Sequence, residues 1–375
     1  MRVLKMALSI ICLLIVIGIF AAACLVYFVD PNKLRPVLIE EVKKETGYLL
    51  TIDDKLSWSF YPRLAIKAHH LSLKQPGEAS AFLDASDVHL ATDLMEVLRS
   101  REKLQGKVTV STLSLMNIKS ENVSADISVE NKVLTLSAVT ATLYGGKLHG
   151  NASGQNFATL PKWQWNLQLD KIQLKPLLQD AHGENSKIRL AGTGSFSMTA
   201  ETSGKNREQL LQGLNGSSVF QLEDGIVEGI DINYFLQLAS ALVNKQPTEQ
   251  LMNTNQTTFN QLNGTASIKN GAATTNDLLL MAPAFSVQGK GSVELFSQRM
   301  NLELKINPQM QKQKWNIPVL VTGDLNHPDI HLDMLEVQKM LAAMEIDRLK
   351  EKASVQIQKH IKGKAGELLQ NLLGK

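Results

Sequence analysis

From residue 49 to about residue 332, apolar and polar residues alternate, and this pattern constrains the fold more than any other feature. Trp163, Trp165, Leu167 and Leu169, for example, are separated by polar residues. The same alternation recurs at residues 123–129, 188–198, 285–295, 300–306 and 317–321. A period of two is typical of strands with one apolar and one solvated face, as in antiparallel sheets. Turn-forming sequences such as Gly145-Gly146 separate the stretches, so the chain is predicted to be mainly β, with a long antiparallel sheet.

Helical patterns are few within this region and stronger at its ends. We predict short helices at residues 93–100, 206–214 and 232–244. From residue 333 the chain is rich in Glu, Lys, Ala, Leu and Met, and Asp333 can cap the start of a C-terminal helix. This tail is basic, and we expect either a solvated helix packed on the sheet or a tail that contacts a partner or a membrane.

The N-terminus carries an uncharged apolar run at residues 6–29, preceded by Arg2 and Lys5. About 24 residues in a helix span about 36 Å, which is enough to cross a bilayer core. The alternatives are a cleaved signal peptide and a lipoprotein with its cysteine at Cys24. The run exceeds a usual signal core of roughly 7–15 residues and stays apolar after Cys24, which favours an uncleaved transmembrane anchor. The basic end places the N-terminus in the cytoplasm and the rest of the chain outside.

A helical pattern follows at residues 30–48, where Leu34, Val37, Leu38 and Val42 share a face and Gly47 is a natural C-cap. The sequence therefore divides into four parts. They are a cytoplasmic tip with a transmembrane anchor, a connecting helix, a β region and a helical tail, at residues 1–29, 30–48, 49–332 and 333–375.

The chain carries no recognisable catalytic pattern. Both cysteines, Cys12 and Cys24, lie in the apolar run, which excludes thiol catalysis and cysteine-ligated zinc elsewhere. The G-x-G sequences at 192–194 and 289–291 lie inside alternating strands, whereas a dinucleotide loop needs a glycine turn between strand and helix. The net charge of +3 comes without a concentrated basic face, so nucleic acid is not expected as a partner. We expect neither enzymatic activity nor a cofactor.

One histidine-rich stretch is a candidate metal site. His327, Asp329, His331 and Asp333 would share a face of an extended strand. Their proline-containing position at the end of a strand favours the rim of a loop instead, and no metal site is predicted.

Several segments, in a fixed order, resemble a known family. They are DPNKLRPVLIEEVKKETGYLLTI, LSWSFYPRLAIKAHHLSL, TATLYGGKLHG, LNGSSVFQLEDGIVEGIDINYFL, a stretch beginning TFNQLNGTASIKNG and IPVLVTGDLNHPDI. Together they resemble the AsmA family of inner-membrane-anchored envelope proteins, over most of residues 1–333. The tail after Met334 matches no motif of that family.

The resemblance implies a twisted antiparallel sheet that is curled into a groove, as in β-groove lipid-transfer proteins. It also implies an inner-membrane protein with a single transmembrane helix, with most of the chain in the periplasm and a role in outer-membrane biogenesis. The expected partners are phospholipid acyl chains, the inner membrane through residues 6–29, and envelope proteins at the C-terminal end. The alternative function is a membrane-tethered scaffold or assembly factor for outer-membrane proteins with no lipid conduit.

Alternation alone does not distinguish an open groove from the closed core of a sandwich or barrel. In the groove interpretation, the apolar rows supply the lipid-contacting side chains, and Leu56, Trp58 and Phe60 cap the first end of the groove. In the other interpretation, these three residues plug one end of a core. The groove candidates are Leu56, Trp58, Phe60, Trp163, Trp165, Leu167, Phe196, Met198, Phe285, Val287, Val293, Leu295, Leu302, Leu304, Ile317, Val319 and Val321.

Overall fold

The structure is a computed structural model. It describes residues 31–59, 65–74, 76–77, 80–92, 103–115, 117–157, 159–182, 187–204, 207–244, 247, 251–309 and 316–373. The predicted transmembrane segment at residues 6–29 and the predicted helix at residues 93–100 lie outside this part of the chain. Of the helices in the described ranges, none combines the length and the apolar character needed to span a bilayer.

The strands are β1 Leu49–Ile52, β2 Ser57–Ser59, β3 Ala65–Lys74, β4 Leu83–Thr92, β5 Lys103–Leu115, β6 Ile118–Glu130, β7 Val133–Leu143, β8 Gly146–Gln155, β9 Lys162–Gln173, β10 Arg189–Ser203, β11 Asn215–Glu228, β12 Gln256–Lys269, β13 Ala272–Met281, β14 Phe285–Glu294, β15 Arg299–Pro308, β16 Ile317–Asp324 and β17 Pro328–Leu332. The helices are α1 Leu34–Thr46, α2 Leu174–His182, α3 Arg207–Gln212, α4 Ile232–Asn244 and α5 Met334–Leu373, and a 3₁₀ turn at Pro31–Lys33 precedes α1.

All 17 strands belong to one antiparallel sheet. From β3 to β17 each strand pairs with the next one in the chain, so this part of the sheet is a continuous meander. The short strands β1 and β2 both pair with β3. Within the described ranges β17 pairs only with β16, so the sheet is not closed into a barrel. The prediction of a mainly β fold with one large antiparallel sheet and few helices is confirmed.

The sheet curls strongly along its length. The backbone N–H of Lys187, just before β10, donates a 3.0 Å hydrogen bond to the carbonyl oxygen of Asn326 in the turn between β16 and β17. Strands that are far apart in the meander are thereby brought together. The apolar face lies on the inside of this curl, and we call it the inner face.

At a bulge, the residues that face inward switch from even to odd positions in the sequence, so the apolar residues stay on the inner face. In β7, Leu134 and Leu136 are buried on one parity, and Ala141 and Leu143 are buried on the other. Ala138 lies between them with φ of 50°, at a register shift in the pairing with β8. One extra residue on a strand reverses the parity without turning the strand over.

The N-terminal end of the sheet is a packed core. Leu38 and Val42 of α1 are fully buried against residues of β1, β3, β4 and β5. Gly47 adopts φ of 75° and donates its N–H to the carbonyl of Lys43 at 2.9 Å, so its predicted role as C-cap is confirmed.

Three helices lie in the connections around the central strands. Helix α2, which the sequence analysis missed, follows β9 directly and has Pro176 in its first turn, where proline is tolerated. The hydroxyl of Tyr144 donates to Asp180 of α2 at 2.8 Å and accepts a hydrogen bond from the N–H of Lys119 at 3.0 Å. This network fixes α2 to the start of β6 and to the turn between β7 and β8. Helix α4 packs on β12, β15 and β16 from the same edge.

Helix α4 begins at a tightly hydrogen-bonded N-cap. Asp231 accepts hydrogen bonds from the N–H of Tyr234 at 3.0 Å and from the N–H and hydroxyl of Thr254 at 2.6 and 2.7 Å. Burial on its own would raise the pKa of Asp231, but these hydrogen bonds to the carboxylate outweigh it and lower the pKa. The carboxylate therefore holds the start of α4 against the segment that leads into β12.

Helix α5 leaves the sheet after its first turns. Asp333 caps it by accepting hydrogen bonds from the N–H groups of Leu335 and Glu336 at 3.1 Å, as predicted. Val337 is buried, and Met340, Leu341 and Met344 are half-buried against the sheet. Residues 345–356 are all exposed.

At the packed end, His70 of β3 joins two neighbouring segments. Its Nδ1 hydrogen-bonds to Asp53, which follows β1, and its Nε2 lies 2.9 Å from Asp84 Oδ2 of β4. Burial lowers the pKa of His70, but the hydrogen bonds and charges of Asp84 and Asp53 raise it above the usual 6.5. Folding thus favours the imidazolium. This stabilisation is complete below the unfolded-state pKa and is lost as the pH rises through the folded-state pKa.

We predict that His70→Gln lowers the free energy of unfolding more at about pH 5.5 than at about pH 8.5. The measurement is urea unfolding followed by circular dichroism at both pH values. The control is His69→Gln, which replaces the neighbouring histidine, whose side chain is exposed, and shows the effect of a His→Gln change alone. An equal loss of stability at both pH values would contradict the assigned role of the imidazolium.

Candidate functional site

A strip of half-exposed apolar side chains runs across the middle of the central strands on the inner face. The antiparallel register sets Leu167 opposite Met198 and Leu169 opposite Phe196, which in turn lies opposite Phe220. After a bulge between β12 and β13, the strip continues with Leu278, Leu304 and Leu302. We call this set the strip: Leu167, Leu169, Phe196, Met198, Phe220, Ala266, Leu278, Leu302 and Leu304, all half-buried.

A second row lies beside the strip and is largely buried beneath helices. This α4-side row follows one register line from β9 to β16: Ile172, Gly194, Leu222, Leu262, Leu280, Val287, Ile306 and Ile317. It shares an apolar cluster with Leu174 and Leu177 of α2 and with Ile232 and Ala239 of α4. The helices therefore cover one flank of the strip, and the strip itself stays half-buried.

The opposite flank is the α3-side row. Trp165, Ala200, Gly216 and Ile268 lie in register across β9 to β12. Trp165, Ala200 and Ile268 are buried in the same cluster as Leu210 and Leu211 of α3 and Leu214 just after it. From β9 to β12 the strip thus lies between two covered flanks.

Glycines on the inner face allow large side chains to lie across neighbouring strands. A Cβ built on Gly264 would lie 2.6 Å from Cζ of Phe220, which is directly opposite in the register. Gly289 lies directly opposite Leu304, and a Cβ built on Gly289 would lie 2.7 Å from a terminal methyl carbon of Leu304. Because the glycines leave this space, Phe220 and Leu304 lie over the backbone instead of filling the space above the strip.

The strip begins at the border of the packed N-terminal core, against which Leu167 and Met198 pack, and it is long. From β9 to β15 there are six strand spacings of about 4.8 Å, or about 30 Å along the sheet. One leaflet of a bilayer core is about 15 Å thick, so the strip is about twice as long as one acyl chain. Its described members carry no titratable group. The groups with shifted pKa values, such as His70, Asp231 and Tyr144, lie outside it.

The sequence-predicted groove residues fall into three groups. On the strip lie Leu167, Phe196, Met198, Leu302 and Leu304, with Val293 and Leu295 half-buried at the end of β14. Buried beside the strip are Trp163, Trp165, Phe285, Val287, Ile317, Val319 and Val321. The third group, Leu56 and Trp58, belongs to the packed N-terminal cluster, where Leu56 is 2% exposed. Phe60 lies outside the described residues.

Sequence reasoning missed Leu169, Phe220, Ala266 and Leu278 as members of the strip. The first two share the parity of neighbouring predicted residues, so alternation could have identified them. The glycine partners could not be found in this way, because the pairing of Gly264 with Phe220 depends on the strand register.

The histidine-rich stretch at the end of the sheet has structural roles. Asp333 caps α5. His327 Nδ1 lies 4.0 Å from Asp324 Oδ1 in an exposed pair. Across the described ranges, no group of three or more potential ligands is placed to hold a metal ion.

Comparisons with known proteins point to one family. A sequence model of the AsmA family matches residues 1–101 and 90–278. Protein AsmA of Escherichia coli (strain K12) is 27% identical over 115 residues, which are 29% of this chain. That match covers 19% of the relative, so only about a fifth of the relative's length is matched. No solved structure matches significantly.

We predict that Gly264→Ala reduces the open space above the strip without unfolding the sheet. The new Cβ displaces the ring of Phe220, and because this ring is half-exposed it can tilt into the space above the strip. We expect the free energy of unfolding to fall by about 1 kcal/mol, while binding of an apolar fluorescent dye weakens.

Gly225→Ala is the contrasting variant. Its Cβ would lie 2.1 Å from Cζ of Phe259, which is 4% exposed, and 2.7 Å from the backbone oxygen of Ala191. Because the buried ring of Phe259 has no room to move, we expect the free energy of unfolding to fall by roughly 3 kcal/mol. If the folded Gly264→Ala protein binds the dye as well as the unmodified protein does, the position of the Phe220 ring does not control the space available to an apolar ligand on the strip.

Proposed function

Because the chain belongs to the AsmA family, we propose that it is an inner-membrane-anchored periplasmic protein that serves outer-membrane biogenesis by binding phospholipid acyl chains. The strip is the proposed binding surface. The lipid is either held there or passed along the sheet.

The observation that supports this proposal most is the long apolar strip, whose side chains are only half-buried. Proteins rarely leave a long continuous apolar surface unburied without a binding partner. A 16-carbon chain in water costs about 12 kcal/mol at about 0.8 kcal/mol for each CH₂. Leu167, Met198, Phe220 and Leu304 offer an apolar surface that offsets much of this cost.

The composition of the strip suits a ligand that slides. Its members are aliphatic, aromatic or thioether side chains, which bind an acyl chain without directional hydrogen bonds. The polar Ser218 lies between two of them, Met198 and Ala266, in the register. A polar headgroup could stay in solvent above the strip, because the strip is only half-buried. Binding would then depend on chain length more than on the headgroup.

In this proposal, residues 6–29 anchor the protein with the N-terminus in the cytoplasm. Helix α1 begins at Leu34, so the packed end of the sheet lies nearest the anchor. Leu56 and Trp58 belong to that packed end. A lipid would therefore enter the strip from its open side and not through these two residues.

A second function is a scaffold or assembly factor for outer-membrane proteins. It is favoured by helix α5, which extends beyond the sheet with Ile346 and Leu349 52% and 58% exposed. Such exposed apolar side chains on a charged helix suit a protein partner at the C-terminal end.

We predict that purified residues 30–375 carry phospholipid. Organic extraction followed by mass spectrometry should detect lipid at a fixed ratio to protein in several detergents. Lipid-free protein in every detergent would contradict the proposal. Crosslinking of such protein to outer-membrane protein precursors would favour the scaffold function.

We predict that Leu302→Asp removes the bound lipid and leaves the fold intact, because Leu302 is half-exposed on the strip. Leu320→Asp is the matched control: Leu320 is also half-buried but lies on the outer face, opposite Glu303. Both variants should keep the circular dichroism of the unmodified protein, and only Leu302→Asp should lose lipid by mass spectrometry. Unfolding of Leu302→Asp alone would indicate a closed core at this position.

A further inference from the structure

Trp165 on the inner face has a buried hydrogen-bond donor that no group among the described residues satisfies. The residue is 6% exposed, and its indole Nε1 has no hydrogen-bond partner in the part of the chain that the structure describes. An indole N–H can only donate, so an acceptor has to come from elsewhere. Buried donors are nearly always paired in native proteins, and leaving one unpaired is unfavourable.

The position of Trp165 on β9 places this residue next to the strip. Leu167, the next inner-face residue of β9, is a member of the strip and lies opposite Met198. Trp165 itself lies directly opposite Ala152 on β8 and Ala200 on β10, whose small side chains leave room for the indole. Trp165 therefore lies in the α3-side row, where this row borders the β9 end of the strip.

The surroundings select the kind of acceptor. The residues directly opposite and next along the face, Ala152, Ala200, Trp163 and Leu167, are all apolar. An anionic phosphate or carboxylate would be strongly disfavoured in such a setting. A neutral carbonyl oxygen joined directly to a hydrocarbon chain fits both the donor and the strip, and an acyl ester has this arrangement.

We propose that the indole N–H of Trp165 donates a hydrogen bond to the ester carbonyl oxygen of an acyl lipid whose chain lies along the strip. This inference rests on the proposed lipid-binding function and adds a recognition residue to it. Leu167 and Met198 border the site, and the flexible thioether chain of Met198 can move aside to admit the carbonyl. The hydrogen bond would hold the head of the chain at β9 and direct the chain towards β15.

The test compares two lipids that differ only in the carbonyl. The full 375-residue chain in amphipol is titrated with a phosphatidylcholine carrying two ester-linked hexadecanoyl chains and with its ether-linked dihexadecyl analogue. Displacement of an apolar fluorescent dye reports the affinity. We expect the unmodified protein to prefer the ester lipid by about five- to tenfold, the effect of one hydrogen bond to a buried donor.

Trp165→Phe removes the N–H and keeps an aromatic ring, so it should reduce this ester preference to about one. Trp163→Phe is the matched control, two residues away on the same face, where the ring packs on Phe157 at 5.2 Å. This variant should keep the preference. A second readout uses the unmodified protein: of its four tryptophan indole N–H signals in ¹⁵N NMR, one should shift with the ester lipid and not with the ether lipid.

The outcomes separate the two proposals. Equal affinity of the unmodified protein for both lipids, with no selective indole shift, would overturn the role of Trp165 and leave lipid binding intact. An ester preference that survives Trp165→Phe would also overturn it. Failure of both lipids to displace the dye would contradict the proposed function itself.

Discussion

The inner face of the sheet carries more apolar side chains than the described helices can cover, and the rest of the structure depends on this imbalance. Antiparallel pairing between sequence neighbours brings the alternating residues into continuous rows across the strands. Helices α2 and α4 cover the α4-side row, α3 covers the α3-side row, and α1 closes the N-terminal end of the sheet. The middle row is left half-exposed. Covering such an apolar surface with a ligand removes it from water, and this lowers the free energy of the system.

Glycine decides how deep this surface is. At Gly264 and Gly289 the missing side chain is replaced by the partner across the register, Phe220 or Leu304, which lies over the backbone. The same large residues opposite alanine would stand further from the sheet and fill the space above it. The sheet thus combines large apolar contact residues with a shallow open surface. The unpaired indole of Trp165 is the one polar feature that we assign to its margin.

Much of the fold followed from the sequence, and little of the site did. Alternation predicted the antiparallel sheet, helix α4 was placed at its observed bounds, and Gly47 and Asp333 were identified as caps. Helix α2 was missed because it follows β9 without a turn signal and contains Pro176. The half-exposed strip could not be found because alternation shows which side chains share a face and not which of them are covered. That distinction depends on the curl of the sheet and on bulges such as the one at Ala138.

The meander pairs nearly every strand with its neighbour in sequence, and this has a consequence for how such a chain changes over time. A hairpin in the middle of the sheet contacts mainly the hairpins before and after it, so its insertion or deletion disturbs few other contacts. Each hairpin adds two strand spacings, or about 10 Å, to the apolar surface. The structure therefore behaves like a repeat array in which length is an adjustable quantity, and the reach of the protein can change while its cross-section stays the same.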